Sequence, residues 1–186
     1  MAEDRQRPAT KEPHSGGAAS IAIALADKNP MVLEGLRALL ADDKRLRVVV
    51  SATDGERFLD AVERVSFDVG VIGWVMPFAD GPEVLKALRL RPAAPRIIVY
   101  TGSADPDVPR RALELGARGF VSKSQPPQLL LEAVHAVAAG STPWWVFSGD
   151  TERNPQFWAR VNQLDVGVLV IETAFSDDAS RWLEVG

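Results

Sequence analysis

No cysteine occurs in the 186 residues. Disulfides and thiolate metal sites are therefore excluded, and a reducing cytoplasm is the expected compartment. Histidine is nearly as scarce, with two in the chain. His14 falls in a polar leader, and His135 falls on a helix where packing or a solvated face suits it better than metal ligation. No Ser/His/Asp or Cys/His set is available for nucleophilic catalysis. No apolar run approaches the roughly 20 residues that a membrane-spanning helix needs, so no membrane partner is expected. Basic residues are not in excess: Lys and Arg number 21 against 25 Asp and Glu, a formal net charge of -4. That balance gives no reason to expect nucleic acid as a partner. No Gly-x-Gly-x-x-Gly follows the first apolar run, which argues against a dinucleotide site.

What is present is an ordinary globular composition, 46% hydrophobic and 25% charged, enough for one domain and a remainder. Residues 1–19 have no apolar core and carry mixed charge, do not read as a signal peptide, and are expected to be a disordered leader. From residue 20 the chain alternates short apolar runs with amphipathic segments. Ile21 to Ala26 reads as a strand buried on both faces. Asn29 then caps a helix with Pro30 at its first position. A β-branched strand at 46–51 leads to Asp54-Gly55 and a second helix. Val69 to Ile72 is the third strand, broken at Gly73, and Gly81-Pro82 opens the third helix. The fourth strand, 96–100, ends at Thr101. Asp107 is expected to cap the fourth helix, and Gly116 to close it in the left-handed conformation. The fifth strand, 118–122, ends at Lys123. Ser124 is expected to cap the last helix, which Gly140 terminates.

Five strands alternating with five helices through short loops predict a parallel α/β sheet covered on both faces, over 20–140. In such sheets ligands bind beyond the carboxyl ends of the strands. Those ends carry Asp27-Lys28, Gly73, Thr101 and Lys123. The segments LADKNPMVLEGLRALL, FDVGVIGWVMPFADG, IVYTG and GARGFVSK, in that order and spacing, resemble the receiver domain of bacterial response regulators. The likeness is greatest to the branch that carries a helix-turn-helix DNA-binding domain.

The resemblance implies a flavodoxin-like (βα)5 doubly wound, five-stranded fold and a place in two-component phosphorelay signalling. Receivers accept a phosphoryl group on an aspartate at the end of strand three, with a divalent cation held by nearby acids. On that pattern Asp27 matches the first acid, Thr101 and Lys123 match the phosphoryl-binding pair, and Phe120 matches the aromatic that reports the state of the threonine. Two positions depart. Gly73 stands where the acceptor aspartate should be, and Lys28 stands where a second metal-binding acid should be. The implied expectation is a pseudo-receiver that is not phosphorylated, needs no cofactor, holds no Mg²⁺ and is not an enzyme. Lys28 is either a solvated lysine or an ammonium that pairs with Asp27 and fills the space of the missing carboxylate. Trp74 either covers the empty pocket or offers a contact to a partner. Partners are expected on the face built by the fourth helix, fifth strand and fifth helix, drawing on residues 109–115 and 129–137, where a homodimer is one option. The alternative is a working phospho-receiver that uses a nearby acid, Asp68 or Asp80.

Residues 141–186 lack the basic four-helix DNA-binding pattern, so direct DNA binding by this chain is not expected. They read as a β-α-β extension packed on the receiver or a partner: a strand at 145–147, a turn at 149–151, a helix at 156–163 and a strand at 166–173. A last helix opens near Asp177 and breaks off, as in a truncated or rearranged gene. Ser148-Gly-Asp-Thr151 and Val170-Ile-Glu-Thr-Ala-Phe175 resemble part of a metallo-β-lactamase-fold cyclic-nucleotide phosphodiesterase, in which Asp150 would bridge two metals. The histidine cluster of that family is missing here, and one carboxylate does not hold a dinuclear site. Asp27 and Asp150 are thus weak metal candidates, and a hydrolase fragment is the third functional option.

Overall fold

The computed structural model describes residues 20–140 together with the backbone of two further strands, 144–148 and 168–172. The leader lies outside the described residues. So do Asp150, the turn at 149–151, and the helices placed at 156–163 and near Asp177.

The chain alternates as expected: β1 (Ile21–Ala26), α1 (Pro30–Ala41), β2 (Leu46–Ala52), α2 (Gly55–Arg64), β3 (Val69–Ile72), α3 (Gly81–Arg89), β4 (Arg96–Thr101), α4 (Val108–Glu114), β5 (Gly119–Ser122) and α5 (Pro127–Ala138). The sheet continues through β6 (Trp144–Ser148) and β7 (Val168–Glu172) in the order β2-β1-β3-β4-β5-β6-β7. All six pairings are parallel. The five receiver strands stand as expected, and the tail strands carry the sheet to seven. The two tail strands do not lie on a face but extend the sheet from the edge of β5.

Strand alternation divides the core in two. Ile23, Leu25, Val69, Val71, Ile98 and Val121 face α1 and α5, whose Leu33, Leu36, Leu40, Leu130 and Val134 close that layer. Ala24, Ile72, Ile97, Val99 and Phe120 face α2, α3 and α4 through Phe58, Val84, Leu85, Leu88 and Ala112. Each large side chain removed from water here contributes about 1.5–3 kcal/mol, and the central strands β1 (IAIALA) and β3 (VGVI) carry no polar residue at all. Gly70 is part of that fit, because a Cβ there would lie 2.9 Å from the Phe58 ring and 2.7 Å from Ile97 Cδ1.

The helix starts follow local chemistry. Asn29 and Asp54 cap α1 and α2 as expected, each accepting a backbone N–H of the first turn. Asp80 and Glu83 form a reciprocal capping box at α3, legible in the sequence as an acid three residues before a glutamate. Two expected caps differ. Ser124 does not cap α5: Pro127 forces Pro126 out of the helical region (ψ 134°), so the helix starts only at Pro127, and the Ser124 hydroxyl bonds Ser122 instead. Asp107 has helical dihedrals and makes no side-chain cap; its own N–H donates to Asp105 Oδ1, 2.9 Å away. Gly116 closes α4 with φ +95° as predicted.

Glycine also fixes how the loop after β3 seats on α2. A Cβ at Gly55 would lie 1.9 Å from the Ala79 carbonyl oxygen. Gly55→Ala therefore pushes backbone against backbone and should cost about 3 kcal/mol, the upper end for overpacking. Gly35→Ala, where nothing lies within 4 Å of the new methyl in mid-helix, should stabilise by about 0.5–1 kcal/mol. Urea unfolding of the pair checks both signs.

Candidate functional site

The parallel register brings the strand ends together on one shelf. Gly73 N–H donates to Ala26 O at 2.8 Å, which places the residues after β1 and β3 side by side. Lys123 N–H donates to Thr101 O, also at 2.8 Å, and does the same for β4 and β5. Asp27, Gly73, Thr101 and Lys123 therefore share the carboxyl edge, as the sequence frame expects.

Asp27 is buried at 3% exposure. Its Oδ1 accepts the Asn29 N–H at 2.9 Å, and its Oδ2 accepts from the Lys123 ammonium. The same ammonium stands 5.5 Å from the centre of the Tyr100 ring. Burial pushes the Tyr100 phenol above its ordinary pKa, and the Asp27 charge adds to that. Thr101 is buried, and its hydroxyl accepts the Ser103 N–H at 3.1 Å, closing a turn after β4. Phe120 is buried in the layer under α2, α3 and α4.

Gly73 shapes the centre. A Cβ on it would sit 3.2 Å from Asp27 Oδ2 and 3.4 Å from Met76 Cγ. A side chain here would project straight at the Asp27 carboxylate, and in its absence Asp27 and Lys123 close on each other. Lys28 does not fill this space. It is exposed and has no ion pair or hydrogen bond among the described residues. The reason is local: Asn29 N–H folds back onto the Asp27 carboxylate in an Asx turn, which leaves Lys28 at the corner facing water. The cation that pairs with Asp27 comes from Lys123, just after β5 and 96 residues away. Trp74 is not an exposed loop residue. It is buried at 6% exposure within the core, and the guanidinium of exposed Arg111 on α4 lies 5.7 Å from its ring centre, a contact of order 1 kcal/mol.

The alternative acceptors are engaged elsewhere. Asp68 Oδ2 accepts the Ala22 N–H at 2.7 Å at the opposite edge of the sheet, and Asp80 is held in its capping box. The donor set does not fit a hard divalent cation, which needs about six oxygen ligands. Asp27 alone offers a carboxylate, both of whose oxygens already accept hydrogen bonds, and Lys28 follows it. Among the described residues no group of three or more His, Cys, Asp and Glu could hold a metal ion.

Sequence reasoning missed a second polar cluster at the far end of α5. His135 Nε2 lies 2.7 Å from Asp43 Oδ2 and 3.2 Å from Arg45 Nη2. One nitrogen does not donate to the acid and accept from the guanidinium at once, and the shorter contact favours donation to Asp43. The Arg45 side chain, then its backbone N–H, holds the Asp43 carboxyl well below the ordinary value of 3.8. A depressed acid contributes stability that is present above its unfolded pKa and is lost as pH falls through the folded one. Wild type should therefore lose stability more steeply than Asp43→Asn below about pH 4, as checked by urea unfolding at a series of pH values. No signal in the sequence linked residues 92 positions apart.

An α/β sheet with an acid after β1, a hydroxyl ending β4 and a lysine after β5 on one edge defines a response-regulator receiver. Residues 23–135 match the family model for the response regulator receiver domain, and the chain belongs to that family. It is 40% identical over 123 residues to "Probable transcriptional regulatory protein SgaR" of Hyphomicrobium methylovorum, covering 66% of this chain and 58% of that protein. It is 33% identical over 118 residues to the nitrate/nitrite response regulator protein NarL of Escherichia coli K12, covering 63% of this chain and 55% of that one. The chain thus spans little more than half the length of these relatives. The fold matches the crystal structure of the non-phosphorylated receiver domain of the stress response regulator RcsB from Escherichia coli. That match has a TM-score of 0.63 and 24% identity, and covers 69% of this chain and 99% of that domain. No described helix is long and apolar enough to cross a membrane.

Proposed function

We propose that this receiver is a pseudo-receiver: it transmits through protein contacts and takes no phosphoryl group at the usual position. The observation that carries the reading is the closure at Gly73. The acceptor carboxylate is missing, and the space it would face is taken by the Asp27–Lys123 ion pair. Without an acceptor there is no oxygen nucleophile in line for phosphoryl transfer, and without a second acid there is too little negative charge to recruit a divalent cation. On this reading the chain is not an enzyme, uses no cofactor, and has Asp27 and Lys123 as a fixed strut in place of a switch.

The working surface is then the face of α4, β5 and α5, which takes a protein partner or a second copy. Support comes from the Trp74–Arg111 contact, which ties the loop after β3 to α4 and so connects the pseudo-site to that face. The relatives named as transcriptional regulators suggest a role in gene control, exercised through a protein and not through nucleic acid held by this chain. Incubation with a small phosphodonor and Mg²⁺, read by intact mass, tests the proposal. No adduct is expected. A Mg²⁺-dependent adduct mapped to any aspartate would overturn it.

A further inference from the structure

The tail changes which edge of the sheet is available. β5 presents its outer N–H and C=O groups between α4 and α5, and β6 takes them in a parallel ladder that pairs Gly119 with Trp144, Phe120 with Trp145 and Val121 with Val146. α5 also lies against β6. A strand edge holds one neighbour at a time, so anything that needs the edge of β5 must first displace β6. We infer that β6 is a built-in occupant of the α4–β5–α5 face, which excludes a second copy of this chain until the strand is displaced. This rests on the reading of that face as the partner surface and names what controls access to it.

The tether makes the exclusion effective. Five residues, 139–143, separate the end of α5 from the start of β6. A short linker holds a segment at an effective concentration on the order of 1 mM. Against a second copy at about 1 µM, the tethered strand is therefore favoured roughly 1000-fold before any difference in contacts. β6 is also held from its far side, since β7 pairs along its whole length from Trp144–Val168 to Ser148–Glu172. The occupant is thus a two-stranded flap, and opening it exposes the edge of β5.

The test uses the full chain. Val146→Pro removes an N–H from a strand paired on both sides and breaks the ladder, whereas Val170→Pro perturbs β7 and leaves the β5–β6 ladder in place. Wild type and Val170→Pro should sediment as monomers, with every amide of β5 slow in hydrogen exchange. Val146→Pro should expose the outward amides of β5 and form a dimer that crosslinks through α4 and α5. A wild-type dimer crosslinked through that face would overturn the inference and leave the face itself intact as a partner surface. A folded Val146→Pro variant with full β5 protection also overturns it. A variant with an open β5 edge that stays monomeric would instead overturn self-association through this face, and the inference with it. Should Val146→Pro not fold, residue-level exchange on wild type decides: fast outward amides in β5 mean that β6 does not occupy the edge.

Discussion

Lys28→Asp combined with Gly73→Asp should give this receiver Mg²⁺-dependent phosphorylation by a small phosphodonor, with wild type and either single variant far behind. The backbone is already placed for it. A Cβ at position 73 points at Asp27 Oδ2 from 3.2 Å, so that carboxylate has to yield by a few tenths of an ångström, while Met76 Cγ at 3.4 Å is at the edge of ordinary contact. Lys123 and Thr101 stand on the adjoining strand ends. The two substitutions together change the local charge by three units, one from the new acceptor and two from the exchange of an ammonium for a carboxylate. Three carboxylates around one lysine repel each other until a divalent cation joins them. Without metal, the double variant should be less stable than wild type. With metal at 100 times its dissociation constant it should gain about 2.7 kcal/mol, a rise in Tm on the order of 8 °C. Wild type should show no such response. Lys28→Asp alone supplies acid but no acceptor, and Gly73→Asp alone supplies an acceptor but leaves a lysine where the second acid is needed. If Mg²⁺ stabilises wild type as much as the double variant, the charge argument fails.

The frame around this site could be read because its determinants are local. Apolar runs of strand length, Asn29 before Pro30, Asp54 before Gly55 and Gly116 at a positive φ each act within a turn or two. A parallel sheet converts that order into a shelf of strand ends. What was not legible depends on distance in the chain. The acid at 27 had an adjacent lysine as the obvious partner, yet the Asx turn at Asn29 sends Lys28 to water and leaves the pairing to Lys123. Trp74 looked like a loop residue, but its loop is drawn down by the Gly81 N–H bond to Trp74 O and by the close seat of Ala79 on Gly55. That packing buries the indole and leaves Arg111 over it. The tail strands could be recognised as strands, but nothing in Trp144–Ser148 says which edge they join or in which direction. The Asp43–Arg45–His135 cluster is a product of α5 lying across the start of β2, which only the assembled layers create.

The second large effect concerns the strut itself. Lys123→Met should cost about 3 kcal/mol, because it leaves the Asp27 carboxylate buried without its cation. Asp27→Asn should cost less, about 1 kcal/mol. The asymmetry follows from exposure: the Asp27 side chain is 4% exposed and the Lys123 side chain 27%. A lysine without its partner swings toward water, whereas the acid has nowhere to go. Asparagine also keeps an oxygen to accept the Asn29 N–H, so the turn after β1 survives. The double variant Asp27→Asn, Lys123→Met removes charge and counter-charge together and should lie near Asp27→Asn alone, about 3 kcal/mol above the sum of the single losses. Denaturant unfolding of the four proteins, with equal slopes to show that the unfolded states are comparable, measures the coupling. A Lys123→Met variant no less stable than Asp27→Asn would mean that the pair is not a strut, and that closure at Gly73 leaves room for the acid to be solvated.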